Sequence, residues 1–171
     1  MSDSINPSSG ILVGGQYHGQ IIRDGRILDE WTDPNLVVNE GLDALINIMF
    51  DAATQITAWY LGLFEGNYTP VAGVTAATIV SAATETTAYA SSTRPAYTAV
   101  ASSGQMETNA ASRASFVFSA SKTIYGAFLV SNSTKSSGSG TLFSVARFAA
   151  AKSVVSGDEL LLTYQFNASS V

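Results

Sequence analysis

Apolar and polar positions alternate with a period of two through the last third of the chain, the signature of half-buried strands. ASFVFSA (114–120) puts Phe116 and Phe118 on one face. TIYGAFLVSN (123–132) puts Tyr125, Ala127 and Leu129 on one face and Ile124, Phe128 and Val130 on the other. After the Gly/Ser turn STKSSGSG, TLFSVARF (141–148) is a further strand. In VVSGDELLLTYQF (154–166) a Ser-Gly-Asp turn leads into a strand with Leu160, Leu162, Tyr164 and Phe166 on one side. Nearer the front, IIRDGRILDEW (21–31) predicts a hairpin turning at Asp24-Gly25, a favoured two-residue turn. TAWYLGLFEG (57–66) is apolar on both faces, with Trp59, Leu61 and Leu63 against Tyr60 and Phe64, so this strand should be covered on both sides.

One stretch has helical spacing instead. In VVNEGLDALINIMFDAA (37–53), Leu42, Leu45, Ile46 and Met49 recur with a period near 3.6. Asn39 stands where an N-cap is expected, with Glu40 and Asp43 in the first turn. Ala44, Ile48 and Phe50 extend the apolar surface round most of the helix, about 39–51. Such a helix should be covered on most of its girth, across the face or open end of a sheet. Ile48 and Phe50 would either close their own domain or meet a neighbouring subunit.

Short strands separated by Gly/Ser turns, with a single packed helix, predict a mainly β chain folded as a sandwich or barrel. Residues 1–10 read as a polar, flexible arm, and 11–171 as one domain. Residues 67–114, dominated by Ala, Thr and Ser, read as a long irregular insertion with one or two short strands, one of them around AYTAV. Its expected anchors are Ile79, Val80, Tyr89, Tyr97 and Val100.

Composition narrows the function. Of 171 residues, 46% are apolar and 12% charged, about half the usual charged fraction. The polar surface is therefore supplied by Ser, Thr, Asn, Gln and Gly, and suits a protein that sits against others. The net charge is −5, and the basic residues are scattered, which opposes nucleic-acid binding. No cysteine exists for a disulfide or a thiolate metal site. The N-terminus lacks a basic region and an apolar core, so no signal peptide is expected. No apolar run reaches the length of a membrane span.

Catalytic constellations are weak. His18 is the single histidine, without a partner for a metal site or a relay. Serines are abundant but none sits in a nucleophile-elbow pattern. Asp24, Asp29, Glu30 and Asp33 form the densest acidic group, and turn chemistry and solvation account for it better than paired-carboxylate hydrolysis. The expectation is no enzyme, no metal and no cofactor. Candidate contact residues are Arg94 and Arg113, suited to bidentate carboxylate pairing at a subunit boundary, and Tyr68, Tyr89 and Tyr97, which lie in the Ala/Thr/Ser region.

The order of features resembles that of small structural proteins of tailed bacteriophages, above all capsid decoration or cement proteins. It is carried by RDGRILDEW, NLVVNEGLDAL, WYLGLFEG, TRPAY, FVFSASKTIYGAFLVSN, GTLFSVARF and VVSGDELLLTYQF. The resemblance implies a jelly-roll-like antiparallel β-sandwich, a non-catalytic protein made in the host cytoplasm and bound to the major capsid protein on the virion surface as a homo-trimer or homo-dimer. Neither nucleic acid nor membrane is an expected partner. Two other readings stay open: a tail, baseplate or fibre component, and a carbohydrate-binding module stacking sugars on Tyr17, Trp31 and exposed tyrosines.

Overall fold

The computed structural model describes residues 10–100 and 103–171. The predicted arm, but for its last residue, lies outside them. The described chain folds into two antiparallel β-sheets and two short helices. In the first sheet, β1 (Ile11–Arg23) lies between β2 (Arg26–Pro34) and β10 (Glu159–Ser170). The far edge of β10 pairs with β6 (Met106–Thr108) and β7 (Ala114–Val117). The second sheet runs in the order β3 (Leu36–Val37), β9 (Leu142–Val154), β8 (Lys122–Val130), β4 (Trp59–Phe64), β5 (Ala96–Tyr97). The β1–β2 turn has positive φ at both Asp24 and Gly25, the twist a two-residue hairpin needs.

The inward faces share one core, in which Tyr17, Leu160, Leu162 and Tyr164 of the first sheet meet Leu61, Leu63, Ile124, Leu129 and Phe148 of the second. Polar atoms tie the layers. The Tyr17 hydroxyl lies 2.8 Å from Ser144 Oγ across the sheets, and Asn35 Nδ2 donates to the Tyr164 hydroxyl at 3.1 Å. Burial above all pushes both phenols to higher pKa, so they stay neutral hydrogen-bonding groups.

The outer face of the second sheet carries another core, and here the sequence reading needs correction. Phe64, Phe128, Val130, Leu142 and Val145 are covered by α2 (Ala76–Ala82), through Ala76, Ile79 and the following Ala83. The second cover of β4 is therefore this short helix inside the Ala/Thr/Ser-rich segment, where no helix was expected. It begins with a capping box between Thr75 and Thr78. That segment is also less superficial than its composition suggests, because Ile79, Tyr89, Arg94 and Asn109 are all buried. Val100, expected as an anchor, is exposed.

α1 (Asn39–Phe50) is not the lid its apolar girth predicts. Gly41 is its one buried residue, and Ile46, Met49 and Phe50 are 54%, 64% and 79% exposed. The N-cap is Val38, without a side-chain cap bond, and Asn39 is the first helical residue. Glu40 has the anchoring role instead. Its Oε2 accepts the backbone N–H of both Ala76 and Leu142, each at 2.8 Å, joining α1 to the starts of α2 and β9. Gly41 lies directly against the backbone of Phe143, where a Cβ would collide with main-chain atoms. That close approach is what a glycine in the first turn provides, at some loss of helix propensity.

The turn before β10 is held by charge. Asp158, buried, takes Arg23 Nε and Nη2 at 2.6 and 2.7 Å and the Val155 N–H at 2.8 Å. The Arg23 bonds, helped by the Val155 amide, hold the Asp158 carboxyl below the ordinary carboxylate range, against desolvation. A depressed pKa contributes stability above the unfolded-state value, near 4, and that contribution is lost as pH falls through the folded value. In urea unfolding, the stability gap between wild type and Asp158→Asn should be widest at neutral pH and shrink below about pH 4. A gap unchanged between pH 7 and pH 3 would show that the ion pair is not its source.

Candidate functional site

A groove of about 700 Å³ lies between α1, residues 55–58 and one end of the two sheets. Leu45 and Ile48 of α1 form one wall, and residues 55–58 continue it towards β4. Aromatic side chains from both sheets reach it: Trp59, Tyr97 and Phe143 from the second sheet and Phe166 from the first. Trp59 meets Phe143 edge-on at 5.6 Å, and Phe143 meets Phe166 edge-on at 5.3 Å, so these rings brace one another. Among the described residues that line the groove, Glu107 of β6 is the one carboxylate, and none is Lys, Arg or His. Burial, then the Glu107 charge, push the Tyr97 phenol up. The Tyr97 hydroxyl is buried and has no hydrogen-bond partner among the described residues.

The candidate contact residues separate into distinct environments. Ile48 and Tyr97 come together in the groove, and Phe50 stands on the outer side of the same helix. Tyr68 is half-buried and packs edge-on to Phe64 at 6.4 Å, on the opposite face of the second sheet from the shared core. Arg113 is exposed and bonds Gln20 Oε1 at 2.5 Å.

Arg94 and Tyr89 are not at a boundary. Arg94 is fully buried, and its bidentate carboxylate partner is Glu85 of the same chain, at 2.8 and 2.7 Å. Its remaining donors reach the carbonyls of Asn132 and Ser137, which pins the β8–β9 loop. Tyr89 is a core residue, edge-on to Phe116 and covered by Lys135, whose Nζ lies 3.7 Å from the ring centroid.

The other sequence candidates find local duties. His18 Nδ1 sits 3.1 Å from Thr32 Oγ1, and its Nε2 3.2 Å from Glu30. Asp29 pairs with Lys152 at 2.9 Å, and Asp33 accepts the Ala149 N–H. Both bind β2 of one sheet to β9 of the other, so they act between layers and not only in solvation. Of the residues named for sugar stacking, Tyr17 is fully buried, and Lys152 lies over the Trp31 ring at 4.3 Å. Among the described residues, no group of three or more acidic or histidine side chains is arranged to hold a metal, and no helix is long and apolar enough to cross a membrane.

Trp59, Phe143 and Phe166 read as ordinary strand residues, and Glu107 did not stand out. A signal existed in the charges of residues 67–114, which are Glu85, Arg94, Glu107 and Arg113. In so neutral a segment each charge calls for a partner, and Glu107 forms no ion pair among the described residues. No family model matches the chain, and no curated protein matches it in sequence, so the geometry of these surfaces and the sequence pattern carry the functional reading.

Proposed function

We propose that the protein is a non-enzymatic structural component of a bacteriophage virion that binds the outer capsid surface and stabilises the shell. The observation that carries this reading is the grouping of exposed apolar side chains at three separate places. These are Ile11 and Leu12 at the start of β1, Ile27 and Leu28 after the hairpin turn, and Ile46, Met49 and Phe50 on α1. Single exposed apolar residues are ordinary, but grouped ones point to contacts with other molecules. Several weak contacts on one small, low-charge domain suit adhesion across subunit boundaries, where many copies act together.

In this reading the major capsid protein is the partner, and the protein acts as a homo-trimer or homo-dimer on the virion surface. The sheets are taken as a jelly-roll-like sandwich. The support is that early strands pair with late ones in both sheets, β1 with β10 and β3 with β9.

Mixing the purified protein with undecorated heads at micromolar concentration should give saturable binding at high copy number and raise the temperature of head disruption. Replacing Met49 and Phe50 together by serine should leave the fold intact and weaken binding about tenfold or more, as for central apolar contacts. Absence of binding, or a few copies found only at the tail in particle images, would overturn the reading.

A further inference from the structure

We propose that the groove between α1 and the sheets receives a cationic, apolar segment of a partner protein, with an arginine or lysine side chain between Glu107 and the aromatic walls. The inference is independent of whether that partner belongs to a capsid.

Four features converge on such an occupant. The first is charge. Glu107 is half-buried in the groove, forms no ion pair among the described residues and has no basic residue among its groove neighbours. The last turn of α1 has no basic residue either, and Asp51 follows it, so the helix end supplies no positive side chain to offset Glu107. A cation entering beside Glu107 gains from its charge, and an anion is repelled. The second is the walls. Trp59, Tyr97, Phe143 and Phe166 offer the π-systems that attract a guanidinium or ammonium group, most strongly when water is excluded.

The third is apolar area. Leu45 and Ile48 line the groove without closing it, which suits aliphatic side chains flanking the cation. The fourth distinguishes a peptide from a small organic cation. Residues 54–58 have no regular secondary structure, and among the described residues their backbone N–H groups make no hydrogen bond. With the unpartnered Tyr97 hydroxyl, they offer polar sites to the main chain of an entering segment. The volume, about 700 Å³, accommodates a few side chains.

The test uses the full chain with Trp31→Phe, which leaves Trp59 as the sole tryptophan and places the fluorescent reporter in the groove. Three blocked nine-residue peptides serve as probes, alternating Leu with Arg, with Gln or with Glu. The Leu/Arg peptide should shift Trp59 emission saturably and bind about tenfold more tightly than Leu/Gln at low salt, with the advantage shrinking as salt is raised. Glu107→Gln should erase that advantage, and Glu107→Lys should transfer the preference to Leu/Glu. Glu30→Gln, outside the groove, should leave Leu/Arg binding unchanged. Equal affinity for all three peptides, an unaltered preference in Glu107→Gln, or loss of Leu/Arg binding in Glu30→Gln would each overturn the proposal. Saturable binding of a neutral oligosaccharide in the groove, with no peptide bound, would do the same.

Discussion

Replacing Glu85 with alanine is expected to lower folding stability by about 3–5 kcal/mol, the range for removing one partner of a buried ion pair. The Glu85 and Arg94 side chains are 1% and 0% exposed, so solvent cannot take over when one is cut away. The loss has three parts. Arg94 would keep the Asn132 and Ser137 carbonyls but lose both charge-assisted bonds to carboxylate oxygens. The Ser136 N–H would lose its acceptor, Glu85 Oε2 at 2.8 Å. A guanidinium over the Phe128 ring, 5.3 Å from its centroid, would remain as a buried cation without a counter-charge. The double variant Glu85→Leu with Arg94→Met removes both charges and should recover much of the loss, because an apolar pair of similar volume avoids the desolvation penalty. Arg94→Lys, with Glu85 in place, should also lose stability, since an ammonium cannot make the bidentate contact. Urea denaturation of the four proteins decides the matter. A loss under about 1 kcal/mol for Glu85→Ala would mean that water reaches the pair readily.

That pair shows where sequence pattern stops. Arg94 stood out as a cation in a neutral segment, and an arginine there does take a bidentate carboxylate. Whether the carboxylate belongs to the same chain depends on how residues 85–94 turn back, and Ala/Thr/Ser composition carries no period from which to read that path. The strands of the last third and the Asp24-Gly25 hairpin were legible because each has an alternation and a turn with its own physical cause. α2 was not, because its buried residues include Ala76 and the adjoining Ala83, whose small side chains give almost no amphipathic contrast. α1 had a correct span and a wrong environment. Apolar girth reports that a helix prefers cover, and it is silent on whether its own chain supplies it. The groove was invisible for a related reason: Trp59, Phe143 and Phe166 have strand-core spacing, and only the packing of two sheets decides that they meet at an open end.

Gly126→Ala is expected to destabilise by about 1–3 kcal/mol, at the upper end of the range for overpacking a filled core. The β4–β8 register sets Gly62 opposite Phe128 and Phe64 opposite Gly126, so each of two buried phenyl rings lies over a cross-strand glycine. A methyl group at 126 meets the Phe64 ring and, on the other side, the carbonyl oxygen of Ala146 in β9. The ring can turn only by displacing its neighbours under α2, and the carbonyl belongs to the backbone of the adjacent strand. At 62 the three atoms nearest a methyl all belong to the Phe128 ring, a side chain and not strand backbone. Loss of glycine's chain entropy favours both alanine variants by about 0.4–1 kcal/mol, less than the clash at 126. Gly126→Ala should therefore cost clearly more than Gly62→Ala. Combined with Phe64→Leu, which opens space on one side, its cost should fall by about 0.5–3 kcal/mol, the coupling expected of residues in contact. Additive effects in that cycle, or equal losses at the two glycines, would place the strain elsewhere than between Phe64 and the β9 backbone.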